Sequence, residues 1–496
     1  MTIIRRLLAA LAILIALAAL ALALFARGVI GGDAVRRTLE DQLSTRLGEP
    51  VTIARLGASF FPRVALDLHD VSIGRPTRAT VAELAIATGL RGLFSRRIED
   101  AEIIVSNSRV PADMLLGLAS AAAQGGPAAQ PNDITIVSIR TLALRNVELV
   151  VGTRSLKVDL RASITGDRLD VTRLVAQSSG TELDAHGVLT SIAAHTGQFT
   201  ASAGRLNLDE LLAVASGLSS PAAARTATPV DVSIDLSAPV GALGGFHFEK
   251  LSSTVHLTPG RLRVNPLRFG MFAGAYDGQL QVSLARSTPD IAVSGRVQGM
   301  DVSTMLQEAE GSSSMSGRLG GTFSLTTRGT SANEMLAATR GAGRATIADG
   351  EIPRLAMVRS IVLAFGKPAA DVPAANRGSR FTRIDSTFTI ADQTIRSQNI
   401  TFASPDFDMT GGGSVRLPSG AVDMAGNVVL SRELTAQAGV DLRRYAQENG
   451  RIVVPATITG TLSDPTVRIS VAAAAGRALE NEVKRRFKGL LDRIIK

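Results

Sequence analysis

Five histidines, His69, His186, His195, His247 and His256, are the first residues to weigh for metal or acid–base chemistry. A protein zinc site needs ligands at close spacing, as in HExxH. None of the five is so placed, although His247 and His256 share a region, and surface or loop positions describe them better. Asp170, Asp184 and Asp277 fall near expected turns, where a carboxylate hydrogen-bonds local backbone. As catalytic carboxylates they would need partners remote in sequence. Gly411 to Gly413 and Gly241 to Gly245 are Gly-rich, but neither leads to Gly-Lys-Ser/Thr or to a strand–Gly-x-Gly–helix unit. They read as strand bulges or turns rather than phosphate cradles. No Gly-x-Ser-x-Gly elbow occurs. The absence of Cys removes thiol catalysis, disulfides and Cys-type zinc sites together. No residue earns a catalytic role, no metal or cofactor is called for, and the chain reads as a non-enzyme.

The elements around these residues are of three kinds. Leu7 to Ala26 are twenty consecutive apolar positions, preceded by Arg5 and Arg6 and followed by Arg27. As a helix they reach roughly 30 Å, the thickness of a bilayer's hydrocarbon core. The run exceeds the about 7–15 residues of a signal-peptide core, which favours an uncleaved anchor. Ala21-Leu22-Ala23 keeps cleavage as the alternative. Arg5 and Arg6 favour a cytoplasmic N-terminus, and Arg36 and Arg37 weaken that bias. At the other end, Gly476 to Lys496 reads as an amphipathic helix. Leu479, Val483, Phe487, Leu490, Leu491 and Ile494 form its stripe, and Lys484, Arg485, Arg486 and Lys488 lie among its cations. Such a helix either lies on an anionic membrane surface or caps a domain's apolar end.

Between the ends the pattern is β. Apolar residues alternate at Val64, Leu66 and Leu68, at Ile134 and Ile136, and at Val230, Val232, Ile234 and Leu236. Period two gives each strand one apolar and one polar face. Two more alternating runs flank an expected Asp464-Pro465 turn. A repeat is also legible. Gly187 and Gly278 are 91 residues apart, as are Gly204 and Gly295, and each copy ends in a short helical stretch. Those stretches, Leu208 to Val214 and Val302 to Glu308, have Asn207 and Asp301 ready as N-caps. Helical patches are expected at Ala112 to Leu118 and Arg354 to Phe365, and loops at Ala119 to Asp133, Gly217 to Thr228 and Gly366 to Ser379.

Leu39 to Leu47, Gly48-Glu49-Pro50-Val51-Thr52-Ile53 and the run Ala58 to Gly74 together resemble the start of the AsmA family. Val81 to Leu93 followed by Ile98 to Val105 resembles that family's next strand pair. Phe381 to Leu417 is similar to its Phe-x-x-Ile to Gly-x-Gly section, and Val454 to Pro465 to its closing strand. The resemblance implies a mainly β fold with short helices: an elongated, curved, repetitive sheet forming an apolar-lined groove, with an N-terminal transmembrane helix and a C-terminal amphipathic one. The expected organisation is an anchor (1–27), an N-terminal β domain (28–118), a linker (119–133), a repetitive groove body (134–365), a loop (366–380), a C-terminal β section (381–471) and the basic helix (472–496).

Functionally, the resemblance implies a single-pass protein of a Gram-negative inner membrane, with its body in the periplasm. It would transfer phospholipid towards the outer membrane and support outer-membrane homeostasis. Its partners would be membrane phospholipids, the inner membrane through residues 7–26, and an outer-membrane or envelope protein. The residues expected to line the groove are Val64, Leu66, Leu68, Ile134, Ile136, Val230, Val232, Ile234 and Leu236. Two rivals stay open: a periplasmic scaffold for outer-membrane protein assembly, pairing client strands at a sheet edge, and an envelope hydrolase. Charge sits at the ends. Of the net +9, the last 21 residues carry +4 and residues 1–40 carry +3. With only two Tyr and no Trp, stacking surfaces for nucleic acid are not expected.

Overall fold

The computed structural model describes residues 32–59, 63–89, 97–111, 114, 135–211, 230–283, 288–311, 313–364, 379–437 and 447–470. The expected anchor and basic C-terminal helix lie outside these residues, as do Ile134 and nearly all of the three expected loops. No helix among the described residues is long and apolar enough to cross a membrane. The chain divides into two compact units, Met1–Val264 and Asn265–Lys496. The division falls within the stretch 134–365.

The first element of unit 1 among the described residues is helix α1 (Gly32–Leu47). Strands β1 (Val51–Ser59), β2 (Val64–Ile73), β3 (Ala79–Thr88), β4 (Arg97–Ile98) and β5 (Ala101–Pro111) follow. Next come β6 (Thr135–Ile136), β7 (Ser138–Val151), β8 (Arg154–Thr165) and β9 (Arg168–Ser178). The unit continues through β10 (Thr181–Ser191), β11 (Thr196–Asn207), β12 (Asp231–Leu243) and β13 (Phe246–Thr258). Strand β14 (Arg261–Met271) contains the division.

Most neighbours in unit 1 are antiparallel, joined by tight turns. The exceptions are two parallel ladders, β5 with β7 and β11 with β12, and the small parallel pair β4 with β6. Register aligns apolar residues into rows across strands. Leu66 stands opposite Ala58 and Ile86, Ile86 opposite Ile103, and Ile103 beside Leu142. The row runs on through Ala162 and Val171. Period two in each strand therefore becomes one continuous apolar face.

Unit 2 contains β15 (Gly274–Ser283), β16 (Asp290–Asp301), helix α2 (Val302–Glu310), β17 (Arg318–Arg328), α3 (Ala332–Ala338) and β18 (Arg340–Ile352). It continues with α4 (Met357–Ala364), β19 (Ser379–Ala391), β20 (Thr394–Ala403), β21 (Phe407–Arg416) and β22 (Ala421–Leu430). It closes with α5 (Arg432–Gln437), β23 (Gln447–Glu448), β24 (Arg451–Thr461) and β25 (Pro465–Ile469). From β15 to β22 each strand pairs antiparallel with the next, and β24 pairs with both β22 and β25.

Both members of the 91-residue repeat are antiparallel hairpins followed by a capped helical turn. Asp301 accepts from the Thr304 N–H at 2.8 Å, and Asn207 accepts from the Glu210 N–H at 3.1 Å. Their registers differ, since Gly187 faces Phe199 whereas Gly278 faces Gly295. The Gly-rich stretches also resolve. Gly244 and Gly245 make the β12–β13 turn with positive φ. Gly411 to Gly413 lie inside β21, where the extra residue belongs to the neighbouring β20 between Ser397 and Ile400. Strand β19 begins at Ser379, inside the expected loop 366–380. Ser379 is buried there, and its hydroxyl donates to the Leu355 carbonyl ahead of α4.

Candidate functional site

The apolar face is finished differently in different places. Near the start of unit 1, α1 lies on it. Val35, Leu39 and Leu43 are 2%, 4% and 5% exposed, and they share one core with Val64, Leu66 and Leu68, at 0%, 1% and 3%. The helix also closes the edge strand. Glu40 accepts the Ile53 N–H at 2.8 Å, Ser44 accepts the Val51 N–H at 2.8 Å, and Arg36 donates to the Ile53 carbonyl at 3.2 Å. Backbone groups that would otherwise invite another strand are thus taken by side chains. Of the expected lining residues, Val64, Leu66 and Leu68 face inward but lie in the protein's own core. Val232 joins that core at 1% exposure, with Val230 and Ile234 packed against it, while Leu236 is half-buried. Ile136 belongs to the β4–β6 pair.

In unit 2 helices α2 and α4 cover the face from β15 to β19 only at one end, near Leu319, Ile347 and Ile384, and the rest carries no such layer among the described residues. One row runs Leu280, Val293, Leu325, Gly341 and Ile390, and a second runs Gly278, Gly295, Phe323, Gly343 and Phe388. All of these are half-buried: lateral neighbours shield them, but nothing among the described residues covers them completely. The opposite face holds Gln279, Ser294, Ser324, Ala342 and Thr389 in register, and beyond them Asp277, Arg296, Thr322, Arg344 and Thr387. One side is hydrocarbon and the other is polar.

Aromatic rings and glycines shape the open side together. Tyr276 stacks on Phe269 at 4.8 Å between centroids and lies 6.0 Å from Phe323. Its hydroxyl donates to the Ser294 carbonyl at 3.0 Å, and burial pushes that phenol's pKa up. A Cβ on Gly295 would come within 2.7 Å of the Tyr276 ring, and one on Gly343 within 2.6 Å of the Phe388 ring. Glycine leaves room for a ring to lie flat over the neighbouring strand.

The polar candidates serve the outer face and the turns. Asp184 pairs with Arg173 at 3.4 Å and Asp277 with Arg268 at 3.1 Å, while Arg168 holds Asp170 below its ordinary carboxylate pKa. These three aspartates were expected to bond turn backbone. They instead sit within strands on the solvated face, where an opposite charge on the same or the next strand is the available partner. His186, His247 and His256 are exposed strand residues, and His69 is half-buried on β2. His195 is 3% exposed in the β10–β11 turn, near Ser191 and Asp167. There the Ser191 hydroxyl donates to Asp167, which also accepts the Ala193 N–H at 2.9 Å. Both bonds lower the Asp167 pKa, the Ser191 bond most. The serine proton is committed to a carboxylate that ties two turns together, so the trio is a structural clasp. No group of three or more His, Asp or Glu among the described residues could hold a metal ion.

Against this geometry, the comparison with protein families is decisive. The family model described as AsmA family matches residues 132–402. This chain belongs to the AsmA family. No curated protein and no solved structure matches it. The matched stretch contains strands β15 to β19 and their open face. Membership agrees with an envelope protein of the lipid-transport type, a family whose members are generally not enzymes.

Sequence reasoning missed this face as a site. Val293, Leu325 and Ile390 each alternate correctly, but only strand register shows that they form one row. The Gly–aromatic pairs were equally hidden, because Gly343 and Phe388 are far apart in sequence.

Proposed function

We propose that this AsmA-family chain conducts phospholipid acyl chains over the apolar sheet face while the polar face remains in water. The carrying observation is the row Leu280–Val293–Leu325–Ile390, half-buried with no covering element among the described residues. A hydrocarbon tail laid along it would remove apolar area from water on both partners, at about 25 cal/mol per Å2. Such a lining fixes no headgroup, so several phospholipids would pass. The reading includes anchorage in the inner membrane by residues 7–26, a periplasmic body, and transfer towards the outer membrane. Strand pairing with a client protein at the β1 edge is less well supported, because that edge is closed by Glu40 and Ser44.

Photo-crosslinking amino acids placed in cells test the reading. Positions Leu280, Leu325 and Ile390 are expected to capture phospholipid, detected by mass spectrometry, while Gln279, Ser324 and Thr389 capture little. Equal capture on both faces, or none on either, would overturn it.

A further inference from the structure

A cavity of about 290 Å3 lies within unit 2, where helix α2 leans over the sheet. Val302, Met305 and Leu306 of α2 form its roof, with Val302 1% exposed. Leu319 and Ile347 line it from β17 and β18, and Val422 and Met424 from β22. Its only hydroxyl-bearing lining residues are Ser314 and Thr461. Thr461 already accepts the Asp464 N–H at 3.1 Å within its own turn. An apolar cavity of about 150 Å3 stays dry and takes up one benzene, and this one is roughly twice that size. Because this one is open on one side, water meets its apolar lining unless hydrocarbon displaces it. Met305, Met315 and Met424 supply unbranched thioether walls that repack around a variable occupant.

The rim has a different character. Leu462, 44% exposed, lines the cavity from the β24–β25 turn and marks where it opens. On the same turn the Ser463 carbonyl accepts from Arg354 Nη1 at 3.2 Å, and Arg354 is exposed. A guanidinium has five N–H donors, and Arg354, one residue before the lining residue Leu355 and bonded to the residue after Leu462, sets a cation able to meet an anionic oxygen beside the opening.

We propose that this cavity seats one fatty-acyl chain, its anionic carboxylate or phosphate head meeting Arg354 at the rim. The proposal rests on the lipid-conducting reading and adds a fixed seat to a face that otherwise lets chains slide.

The test uses the full-length chain with three probes bearing a diazirine at the acyl end: a fatty acid, the matching fatty alcohol, and a phosphatidylglycerol in vesicles. Adducts from the fatty acid or the phosphatidylglycerol are expected on the peptides holding Met305, Met315 and Met424, and the arm that labels them identifies the source. Leu306→Trp fills the cavity and is expected to cut those adducts at least about tenfold, leaving adducts at Leu325 and Phe388 unchanged. Met305→Phe repeats the test should the Trp variant melt early. Arg354→Glu is expected to cut labelling by the two anionic probes but not by the alcohol; an equal loss for the alcohol would overturn the head assignment. Open-face adducts without cavity adducts, or cavity adducts indifferent to both filling variants, would overturn the seat alone. Adducts at neither place would overturn the conducting reading with it.

Discussion

Strands β1 to β3 and strands β15 to β19 share one chemistry and meet different fates. In both, apolar side chains alternate with polar ones and fall into cross-strand rows. On the first, the Val35–Leu39–Leu43 stripe of α1 seals Leu66 to 1% exposure. On the second, Leu325 stays half-buried. Strand sequence therefore decides which face is apolar, and a helix elsewhere decides whether that face is core or surface. The same alternation builds a core in one place and leaves a half-buried apolar surface in the other.

The strongest way to break this comparison is to truncate matched residues. Leu66→Ala is expected to destabilise unit 1 by about 2–5 kcal/mol, the usual cost of emptying a packed site. Leu325→Ala should cost about half that or less, because part of its side chain already meets water. Denaturant unfolding followed by fluorescence of a dye attached in each unit measures both, and equal losses would erase the distinction. Next in size, Gly295→Val drives a Cβ into the Tyr276 ring and should cost about 1–3 kcal/mol. It should also lower photo-crosslinking at Leu325, separating ring placement from general stability. Glu40→Ala leaves the Ile53 N–H without its acceptor, at a cost of about 1–3 kcal/mol. Hydrogen exchange should quicken at Ile53 while the β15–β19 amides hold their rates. The smallest effect belongs to the polar face. Hydrogen bonds from Arg383 and then Thr346 hold Asp385 below its ordinary pKa of 3.8. A carboxylate depressed by folding stabilises above its unfolded pKa, and that contribution is lost as pH falls through the folded value. Asp385→Asn should therefore cost a few tenths of a kcal/mol at neutral pH, as exposed pairs do, with the difference closing below about pH 4. Thermal melts across that range read it directly.

Local signals in the sequence translated well. Alternation at Val64, Leu66 and Leu68 placed three inward residues, Asp301 capped its helix, and the chain turned at Asp464, just ahead of Pro465 as the first residue of β25. Each of those outcomes depends on a few neighbouring residues. What stayed hidden depends on distance. Leu39 to Leu47 resembled the start of the AsmA family, but nothing in that segment showed that a helix stripe would settle on the Val64 row. Met305 and Met424 come to line one cavity with more than a hundred residues between them. Parallel ladders were also invisible, since β5 and β7 carry the same alternation as strands joined by hairpins. Register between distant strands is written in the complementarity of whole faces, which no single segment displays.

The two parallel ladders of unit 1 carry a consequence in time rather than in space. They divide the strands into runs from β1 to β5, from β7 to β11, and from β12 to β13. Within each run, β4 apart, successive strands are neighbours in the sheet, and the mostly short connections between them cost little entropy to close. Joining the runs requires closing the much longer segments 112–137 and 208–230. Contacts between residues distant along the chain form slowly. Unit 1 should then fold as three local zippering events followed by two slower unions, with the seams at β5–β7 and β11–β12 last to set.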